Sequence, residues 1–504
     1  MNTFSSQSKA KLISLFAVFF ALSLGLVLIL ILVVGGFKLA LVSILALSMV
    51  VMLMMSSNPR LLLLWLLVFS LPLALSKQFG EIVFKGGGEQ AFRLELFDLF
   101  VLALLAFQLT DVFTKKVPGY RIPKVIWLWI GVACIGLVDV IQGPWQTSGA
   151  HEVLRMLKVA LLFIVLINEF KTPKHLYTCI APLALGVLMQ GMIGVAQYLK
   201  GNLLGLEFLG ETTAKTIENL AYTSVEGSLA FRPSALLLHA NIFGIYVAVL
   251  LPLLIGAFLI FKQFWLRVFL ASGILLGLCG LILSQSRSAW VGFALGYITL
   301  MLLMLSHRAL SNRAVIATIT SGLAIFALLV PFAGKIFNRL FGSKDDATIG
   351  RLVFMEDFFR LIQDHWLFGV GMNAYTLELP PYLSFSEKIY HGWIPPVHNI
   401  YFLWWGELGL LGITLHMWFW GFIIWAGIKN LKVKNEGLFV INAGCIAAMV
   451  VFIFDGFLSF SLRVSQPQRI FFLLAALIIV IHYWRKAMES QGNNANFNRV
   501  NISS

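Results

Sequence analysis

The amino-acid sequence predicts an all-α fold, a polytopic bundle of about 12 to 14 transmembrane helices. Hydrophobic residues make up 59% of the 504 residues and charged residues only 12%, and the mean hydropathy is +0.89. Soluble domains carry roughly a quarter charged residues, so an apolar excess of this size needs lipid as its solvent. These values exclude an ordinary soluble globular protein.

Charged and Pro/Gly-rich interruptions separate the apolar segments from one another. A helix of about 20 apolar residues crosses a bilayer, and most segments approach or exceed that length. The first follows Lys9 and Lys11 and is too long for the core of a signal peptide, so we expect a retained helix. The expected spans are Leu12–Val34, Leu39–Met55, Leu61–Leu75, Leu99–Val112, Val125–Gln142, Leu157–Phe170, Leu176–Leu199, Ala235–Phe261, Val268–Gln285, Trp290–Ser306, Ala314–Ala333, Ile400–Gly427, Val440–Ser461 and Ile470–Trp484.

The positions of Lys and Arg predict the side of the membrane on which each loop lies. Basic residues are concentrated in alternate short loops, and short basic loops stay in the cytoplasm. Both termini are therefore expected in the cytoplasm. The two longest loops, Lys200–Ser234 and Gly334–Val397, then lie on the outer face, where we expect the functional site. The Asn- and Ser-rich residues 490–504 are expected to form a disordered cytoplasmic tail.

Several classes of function lack their sequence signals. The four cysteines lie inside apolar segments and form neither a CxxC pair nor a zinc set. Neither a P-loop nor an HExxH motif occurs, so we expect no metal ion and no cofactor. Lys plus Arg number 37 against 23 Asp plus Glu, a net charge of +14. The basic residues are scattered and not interleaved with aromatic residues, so membrane lipids and not nucleic acid are the expected partners.

Three arginines map to the outer ends of the expected spans. Arg232 closes the first long loop in Phe-Arg-Pro, Arg287 lies in Ser-Gln-Ser-Arg-Ser-Ala-Trp, and Arg463 precedes the last span. Guanidinium groups stay charged and bind phosphate oxygens in bidentate geometry, so these residues suit a lipid phosphate or pyrophosphate. Each arginine could instead anchor a helix end to lipid headgroups.

His398 follows two prolines and opens a span as His-Asn-Ile-Tyr. Imidazole titrates near neutrality, and a position beneath a long outer loop gives access to a substrate, so His398 is a candidate general base. It could equally cap the helix or pack against aromatic rings. Asn399 could orient the ring or bind sugar hydroxyls, whereas we expect Glu407, two turns further on, to be structural.

The second long loop contains a predicted amphipathic helix. Apolar residues recur at a spacing of three to four from Leu352 to Trp366, which favours a helix lying on the membrane or on the bundle. The sequence Phe-Gly-Val-Gly at 368–371 then ends the helix. Aromatic residues of this loop could stack on sugar rings or lie at the membrane interface; they are Tyr375, Tyr382, Phe385, Tyr390 and Trp393.

The polar motifs together resemble those of the bacterial O-antigen ligase and polysaccharide polymerase superfamily. The matching pieces are, in order, Arg232-Pro-Ser-Ala with His239-Ala-Asn-Ile-Phe-Gly, Ser284-Gln-Ser-Arg-Ser-Ala-Trp, Gly350-Arg351 running to Trp366-Leu-Phe-Gly-Val-Gly, and His398-Asn-Ile-Tyr-Phe-Leu-Trp-Trp-Gly-Glu407-Leu-Gly-Leu-Leu-Gly. The last piece is the strongest. The resemblance divides the chain into N-terminal transmembrane helices (1–231), a ligase-like core (232–412) that includes the outer loop 334–397, C-terminal transmembrane helices (413–489) and the tail (490–504).

The resemblance implies a type C membrane glycosyltransferase fold and a metal-independent, inverting transfer from an undecaprenyl-pyrophosphate-linked glycan donor. The reaction would take place at the outer face of the bacterial cytoplasmic membrane, with a glycan or lipid A-core oligosaccharide as acceptor. His398 would activate the acceptor hydroxyl, and Arg232 and Arg287 would hold the pyrophosphate leaving group. Arg351 and Arg463 are lesser candidates for the same binding role.

Two alternatives stay open. A polymerase would use the same donor and residues, with another lipid-linked repeat unit as acceptor. A transporter of a small anion or lipid-linked sugar would need ionisable residues near the bilayer midplane and helices broken there. His239, Asn241, Asp139 and Asp455 could line such a path, although we expect them to make structural hydrogen bonds. A metal-dependent oligosaccharyltransferase is least favoured, because the acidic residues of the first sizeable loop form no recognisable metal-binding pair.

Overall fold

The computed structural model describes residues 52, 55–80, 89–117, 119–212, 222–225, 228–306, 346–384 and 394–490, together with short helical pieces between 316 and 337. The chain divides into two compact units, Met1–Leu63 and Leu64–Ser504. In the first unit the described residues are those that lead into, and begin, the helix Pro59–Ser70. The site described below belongs to the second unit.

Helices dominate the described part of the chain. They are α1 (Pro59–Ser70), α2 (Leu96–Phe113), α3 (Ile126–Gln142), α4 (Gln146–Glu169), α5 (Pro173–Lys200), α6 (Ala240–Ile260), α7 (Phe264–Leu283), α8 (Arg287–Ser306), α9 (Ala333–Phe337), α10 (Asp346–His365), α11 (Tyr375–Glu378), α12 (Ile400–Asn430), α13 (Glu436–Leu458) and α14 (Ser465–Ser490). Two antiparallel hairpins join β1 (Ser76–Phe79) to β2 (Phe92–Glu95) and β3 (Tyr222–Val225) to β4 (Ser228–Phe231). Single 3-10 turns occur at Glu207–Leu209, Pro380–Tyr382 and Ser461–Arg463.

The predicted polytopic helical membrane protein is confirmed. Among the described residues, 8 helices are long and apolar enough to cross a membrane; they are α2, α5, α6, α7, α8, α12, α13 and α14. Helices α1 and α3 are apolar but shorter. The expected spans Leu12–Val34 and most of Leu39–Met55 and Ala314–Ala333 lie outside the described residues, as does the tail beyond residue 490.

Helix α4 differs most from its expected span, Leu157–Phe170, because it begins at Gln146. Its first turns contain His151, Glu152 and Arg155, which hydropathy assigns to a loop. These side chains are nevertheless buried inside the bundle. Glu152 and Arg155 form an ion pair with each other, so the helix can bury them without leaving an isolated charge.

Helix α6 is the most deeply buried of the membrane helices. It packs against α7, α8 and α13, and its sequence is apolar on every face, which is typical of a helix enclosed by others. Gly244, in the second turn of α6, has no side chain, and this allows the α7–α8 turn to pack closely. A Cβ at this position would lie only 2.8 Å from Oγ of Ser284. The beginning of α6 therefore meets the beginning of α8.

Helix α10 confirms the predicted amphipathic helix of the second long loop, and it lies on the bundle. The ring of Phe358 is buried and stacks on Phe402 of α12, with 4.5 Å between the ring centroids. Leu352 and Phe359 remain exposed. The apolar contact with α12 thus fixes one face of α10 above the beginning of α12.

Helix α12 is broken at Gly409, where φ is 64°. The segment 366–371 fills the break. Its Val370 and Gly371 backbone N–H groups donate to the carbonyl oxygens of Gly406 and Glu407, each at 2.9 Å. A Cβ on Gly409 would overlap the carbonyl of Leu367, so only glycine fits here. The hydrogen bonds made at this break therefore attach the segment that follows α10 to α12, two to three turns beyond His398.

Candidate active site

Polar residues from several helix ends meet at one end of the bundle. The segment before α6, the α7–α8 turn, the beginning of α12, the end of α13 and one face of α10 all contribute side chains. The contacts described below connect Arg232, Arg351, His398 and Asp455, and Arg287 begins helix α8 directly before Ser288, a partner of Asp455. We refer to the three arginines, His398, Asp455 and His239 as the polar cluster.

Arg232 ties the segment before α6 to the α7–α8 turn. Its Nε donates to the carbonyl oxygen of Ser284 at 3.0 Å, and its Nη2 donates to Oδ1 of Asn241 in the first turn of α6. The side chain is half-buried. A guanidinium group held in this way places a permanent positive charge at a fixed position.

Arg287 is the first residue of α8 and is half-buried. It lies three residues after Ser284, the residue that Arg232 holds, and Gln285 between them has a positive φ of 51°. The N–H groups at a helix N-terminus already favour anions, and an arginine at that position adds a full positive charge. Arg232 therefore bonds to the turn that Arg287 ends, and two cationic residues at one turn suit a phosphate or diphosphate group.

His398 is half-buried between two aromatic rings. Phe354 of α10 stacks on the imidazole at 5.8 Å between centroids, and Phe460 meets it edge-on at 5.2 Å. Burial, followed by the nearby charge of Arg351, lowers the pKa of His398 to about 4, although the Pro396 carbonyl opposes this shift. The ring is therefore neutral at pH 7. A neutral imidazole has one unprotonated ring nitrogen, which can accept a proton.

Arg351 faces the same site from α10. It lies one turn before Phe354, and its charge acts on both His398 and Asp455. Asp455 is 2% exposed near the end of α13 and accepts hydrogen bonds from the hydroxyls of Ser461 and Ser288. Since Ser288 follows Arg287 directly, Asp455 connects the beginning of α8 with the side of the cluster that contains Arg351 and His398.

Two members of the cluster had no role in the expected site. For His239 and Asp455 the expected roles were an ion path or structural hydrogen bonds, and the structure places His239 near Arg232 and Asp455 near Arg351. The signal for His239 was its position two residues before Asn241 in a motif that also contains Arg232. Asp455 had no comparable signal, because Ser288 and Arg351, its neighbours in the cluster, are distant in the chain.

Asn399 caps helix α12. Its Oδ1 accepts from the backbone N–H groups of Tyr401 and Phe402 at 3.0 and 3.1 Å, and its Nδ2 donates to the Phe457 carbonyl at 3.4 Å. The capping role that was an alternative for His398 thus belongs to Asn399. Both ends of its carboxamide are bonded to backbone, so Asn399 fixes the direction in which α12 leaves His398.

Arg463 lies in a buried ion-pair network, and its carboxylate partners are not members of the polar cluster. Its Nη1 is 2.8 Å from Glu152 and its Nη2 is 2.9 Å from Glu407, while Nη2 also donates to Asn373 at 3.2 Å. Arg463 is 4% exposed and Glu407 is 0% exposed. Two carboxylates hold the guanidinium, which gives Arg463 a packing role in this structure and agrees with the structural role expected for Glu407.

Arg155 completes this network. It pairs with Glu152 in the same helix and donates to Oε1 of Gln468 in α14 at 2.7 Å. Two arginines and two glutamates are thus buried together, and their formal charges cancel. Such a network joins α4, α12 and α14 without presenting net charge to a ligand.

Metal ligation has no evident site in this part of the molecule. Among the described residues, no group of three or more His, Cys, Asp or Glu side chains could hold a metal ion.

Of the five aromatic residues expected to stack on sugar rings or lie at the membrane interface, Phe385, Tyr390 and Trp393 lie outside the described residues. Of the remaining two, Tyr375 is buried, whereas Tyr382 is half-buried and its hydroxyl lies 3.0 Å from the ring of His365.

Comparison with known proteins bears on the part of the chain that contributes half of the polar cluster. No curated protein matches the chain. Residues 272–417 match the family model described as O-antigen ligase. The matched region includes Arg287, Arg351 and His398, whereas Arg232 and Asp455 lie outside it. Over residues 272–417, this integral membrane protein is therefore similar to the O-antigen ligase family, which confirms the resemblance seen in the sequence motifs.

Proposed function

We propose that this chain is a membrane glycosyltransferase of the O-antigen ligase type. It transfers glycan from an undecaprenyl-pyrophosphate donor to an acceptor hydroxyl at the outer face of the bacterial cytoplasmic membrane, without a metal ion. The observation that carries the proposal is a neutral His398 beside Arg351, connected through Asp455 and the α7–α8 turn to Arg287 and Arg232. A base and several fixed cations at one site are what a transfer from a diphosphate donor requires.

His398 acts as the general base in this proposal. Its unprotonated ring nitrogen takes the proton of the acceptor hydroxyl while the hydroxyl oxygen forms a bond to the anomeric carbon. The bond between that carbon and the diphosphate oxygen breaks, and its electron pair leaves with the diphosphate. Attack from the side opposite to the leaving group inverts the configuration of the anomeric carbon.

Arg232 and Arg287 stabilise the charge that develops on the diphosphate, with Arg351 contributing from α10. Guanidinium groups suit this task because they stay protonated and present several N–H groups to phosphate oxygens. Arg232 is held by Ser284 and Asn241 before any substrate arrives. Donors fixed in advance cost little reorganisation during the reaction, and this is the main source of their effect.

The test is a reconstituted transfer reaction with the full chain. Wild type and His398→Ala are assayed in lipid nanodiscs with undecaprenyl-pyrophosphate-linked glycan and candidate acceptors, in the presence of a metal chelator, and the products are identified by mass. We expect the variant to lose about 10²- to 10⁴-fold in kcat, because a general base contributes a factor of that size. The control is His365→Ala, which removes a histidine of the same loop that bonds instead to Tyr382.

The products of the reaction, and the pH dependence of kcat/KM, decide between the alternatives. A ligase yields one transferred glycan per acceptor, whereas a polymerase yields a ladder of repeat units. Because a base works only when unprotonated, kcat/KM should hold from neutral pH to about pH 5 and fall about tenfold per unit below about pH 4, where His398 becomes protonated. Undiminished transfer by His398→Ala would remove the assignment, and no product from wild type with any acceptor would favour a transporter.

A further inference from the structure

The segment between Arg232 and His239 has an unusual backbone that α5 holds in place. Ala235 and Leu238 have positive φ angles of 50° and 56°, which residues with a Cβ rarely adopt. Gln197 holds Ala235 from both sides, since Oε1 accepts from its N–H at 2.8 Å and Nε2 donates to its carbonyl at 3.1 Å. Gln190 accepts from the Leu236 N–H at 2.9 Å. Backbone kept in sparsely populated conformations is concentrated at functional sites.

His239 ends this segment and caps α6 with its ring. Its Nδ1 accepts the backbone N–H of Asn241 at 3.0 Å. A nitrogen that accepts a hydrogen bond carries no proton, so in the neutral ring the proton is on Nε2. Asn241 also accepts from Arg232 through its side chain. One asparagine therefore fixes both the orientation of the His239 ring and the position of the Arg232 guanidinium.

The surroundings of His239 oppose its protonation. Burial is the main cause, and the charges of Arg232 and then His398 add to it; together they lower the pKa of His239 to about 3. The capping bond acts in the same direction, because a protonated Nδ1 could not accept it. His239 is thus a neutral ring with a fixed N–H donor, close enough to both Arg232 and His398 to be influenced by their charges.

We propose that His239 is a second histidine of the active site, which donates a hydrogen bond from Nε2 to a diphosphate oxygen of the lipid-linked donor beside Arg232. This inference rests on the proposed function and assigns the two histidines different tasks. His398 accepts the proton of the acceptor hydroxyl, whereas His239 keeps its own proton throughout. Its hydrogen bond strengthens as negative charge builds up on the departing diphosphate, so it contributes mainly to the transition state.

Two substitutions separate this role from helix capping. His239→Asn keeps an acceptor where Nδ1 now lies, and asparagine is a good N-cap, but its short amide cannot reach the position of Nε2. His239→Gln places an amide N–H near the position of Nε2 and is a poorer cap. A donor role therefore predicts that Gln retains more activity than Asn, and a capping role predicts the reverse order.

The experiment measures kcat and KM for the lipid-linked donor, and the midpoint of thermal unfolding, for full-length wild type and both variants in nanodiscs. We expect His239→Asn to unfold like wild type but to lose about 10- to 100-fold in kcat with little change in KM. We expect His239→Gln to retain more of the kcat despite a lower midpoint. Higher kcat in His239→Asn than in His239→Gln would overturn the inference.

Parallel measurements distinguish failure of this inference from failure of the proposed function. Full transfer by His398→Ala would refute the proposed function and with it the role of His239. Loss of transfer in His398→Ala combined with wild-type kcat in His239→Asn would refute the role of His239 alone. The low-pH limb of kcat/KM should be the same in His239→Asn as in wild type, because His398 remains the base. Disappearance of that limb in His239→Asn would make His239 the base and overturn the division of tasks.

Discussion

Arginine residues in this protein have two different environments that residue type alone does not distinguish. Arg232 bonds to a backbone carbonyl and an amide, whereas Arg463 lies between two carboxylates. From the sequence, both were candidates to bind a phosphate, with Arg463 the lesser of the two. The difference could not be predicted because the partners of Arg463 lie 56 and 311 residues away in the chain, and hydropathy says nothing about such pairings.

The buried network around Arg463 should matter for stability. Arg463→Met would leave Glu407 buried without its ion-pair partner and Glu152 with Arg155 alone, and breaking a buried ion pair typically costs about 3–5 kcal/mol. We expect the thermal unfolding midpoint in detergent to fall by at least about 5 °C. The control is Arg360→Met, which breaks an exposed pair with Glu356 in α10 that is worth only about 0.3–0.5 kcal/mol. Equal midpoints for the two variants would contradict the structural role of Arg463.

The chemistry-bearing residues of the site were predictable to different degrees. His398, Arg232, Arg287 and Arg351 follow from residue type, motif order and the family resemblance, and the structure brings them into one cluster. The sequence did not show that His398 is enclosed by two aromatic rings, since Phe354 comes from the long loop and Phe460 from the end of another helix. The catalytic and binding roles of these residues stay predictions until they are assayed.

At the scale of secondary structure, helix α12 shows what hydropathy can and cannot provide. Its apolar residues predicted a single span from Ile400 to Gly427, and the helix extends from Ile400 to Asn430. The break at Gly409 was not predicted, because it depends on hydrogen bonds from residues 366–371. A local sequence pattern cannot reveal a distortion that a distant segment stabilises.

Two glycines in α12 provide a matched test of this break. Gly409→Ala introduces a Cβ against the Leu367 carbonyl at a positive φ, so we expect a loss of about 2–4 kcal/mol in stability and release of segment 366–371. Gly421→Ala, in the same helix, meets nothing within 4 Å and should gain about 0.5–1 kcal/mol. Thermal unfolding measures the change in stability of both variants, and proteolysis between α10 and α12 measures the release of segment 366–371. Similar behaviour of the two variants would contradict the fastening role of the break.

For the whole molecule, the polytopic helical fold and the approximate placement of the described helices were the most predictable features. Length and apolar composition are sufficient for this, because a lipid bilayer requires about 20 apolar residues per helix. Helix α4 was underestimated because its buried charges are neutralised by each other and by Arg463, and hydropathy does not detect such pairing. Sidedness comes from the distribution of Lys and Arg and is still a prediction.

Sidedness can be tested with two single cysteines at opposite ends of α12. Glu356 is exposed on α10, which packs at the beginning of α12, and Lys432 is exposed just after its end. We expect Glu356→Cys to react with a membrane-impermeant maleimide in intact spheroplasts, and Lys432→Cys to react only after permeabilisation. Wild type, whose four cysteines lie in helices, gives the background labelling. The opposite labelling pattern would place the polar cluster on the cytoplasmic side and remove the proposed function.

The ion-pair network also sets an order for assembly during synthesis. Glu152 and Arg155 are three residues apart, so α4 enters the translocon with its charges already neutralised within one helix. Glu407 has no such neighbour and finds its cation in Arg463, which leaves the ribosome 56 residues later. Since an unpaired carboxylate is costly in lipid, α12 cannot reach its final position until the C-terminal helices have been made. Truncation after α12 should therefore yield a chain that is inserted but rapidly degraded.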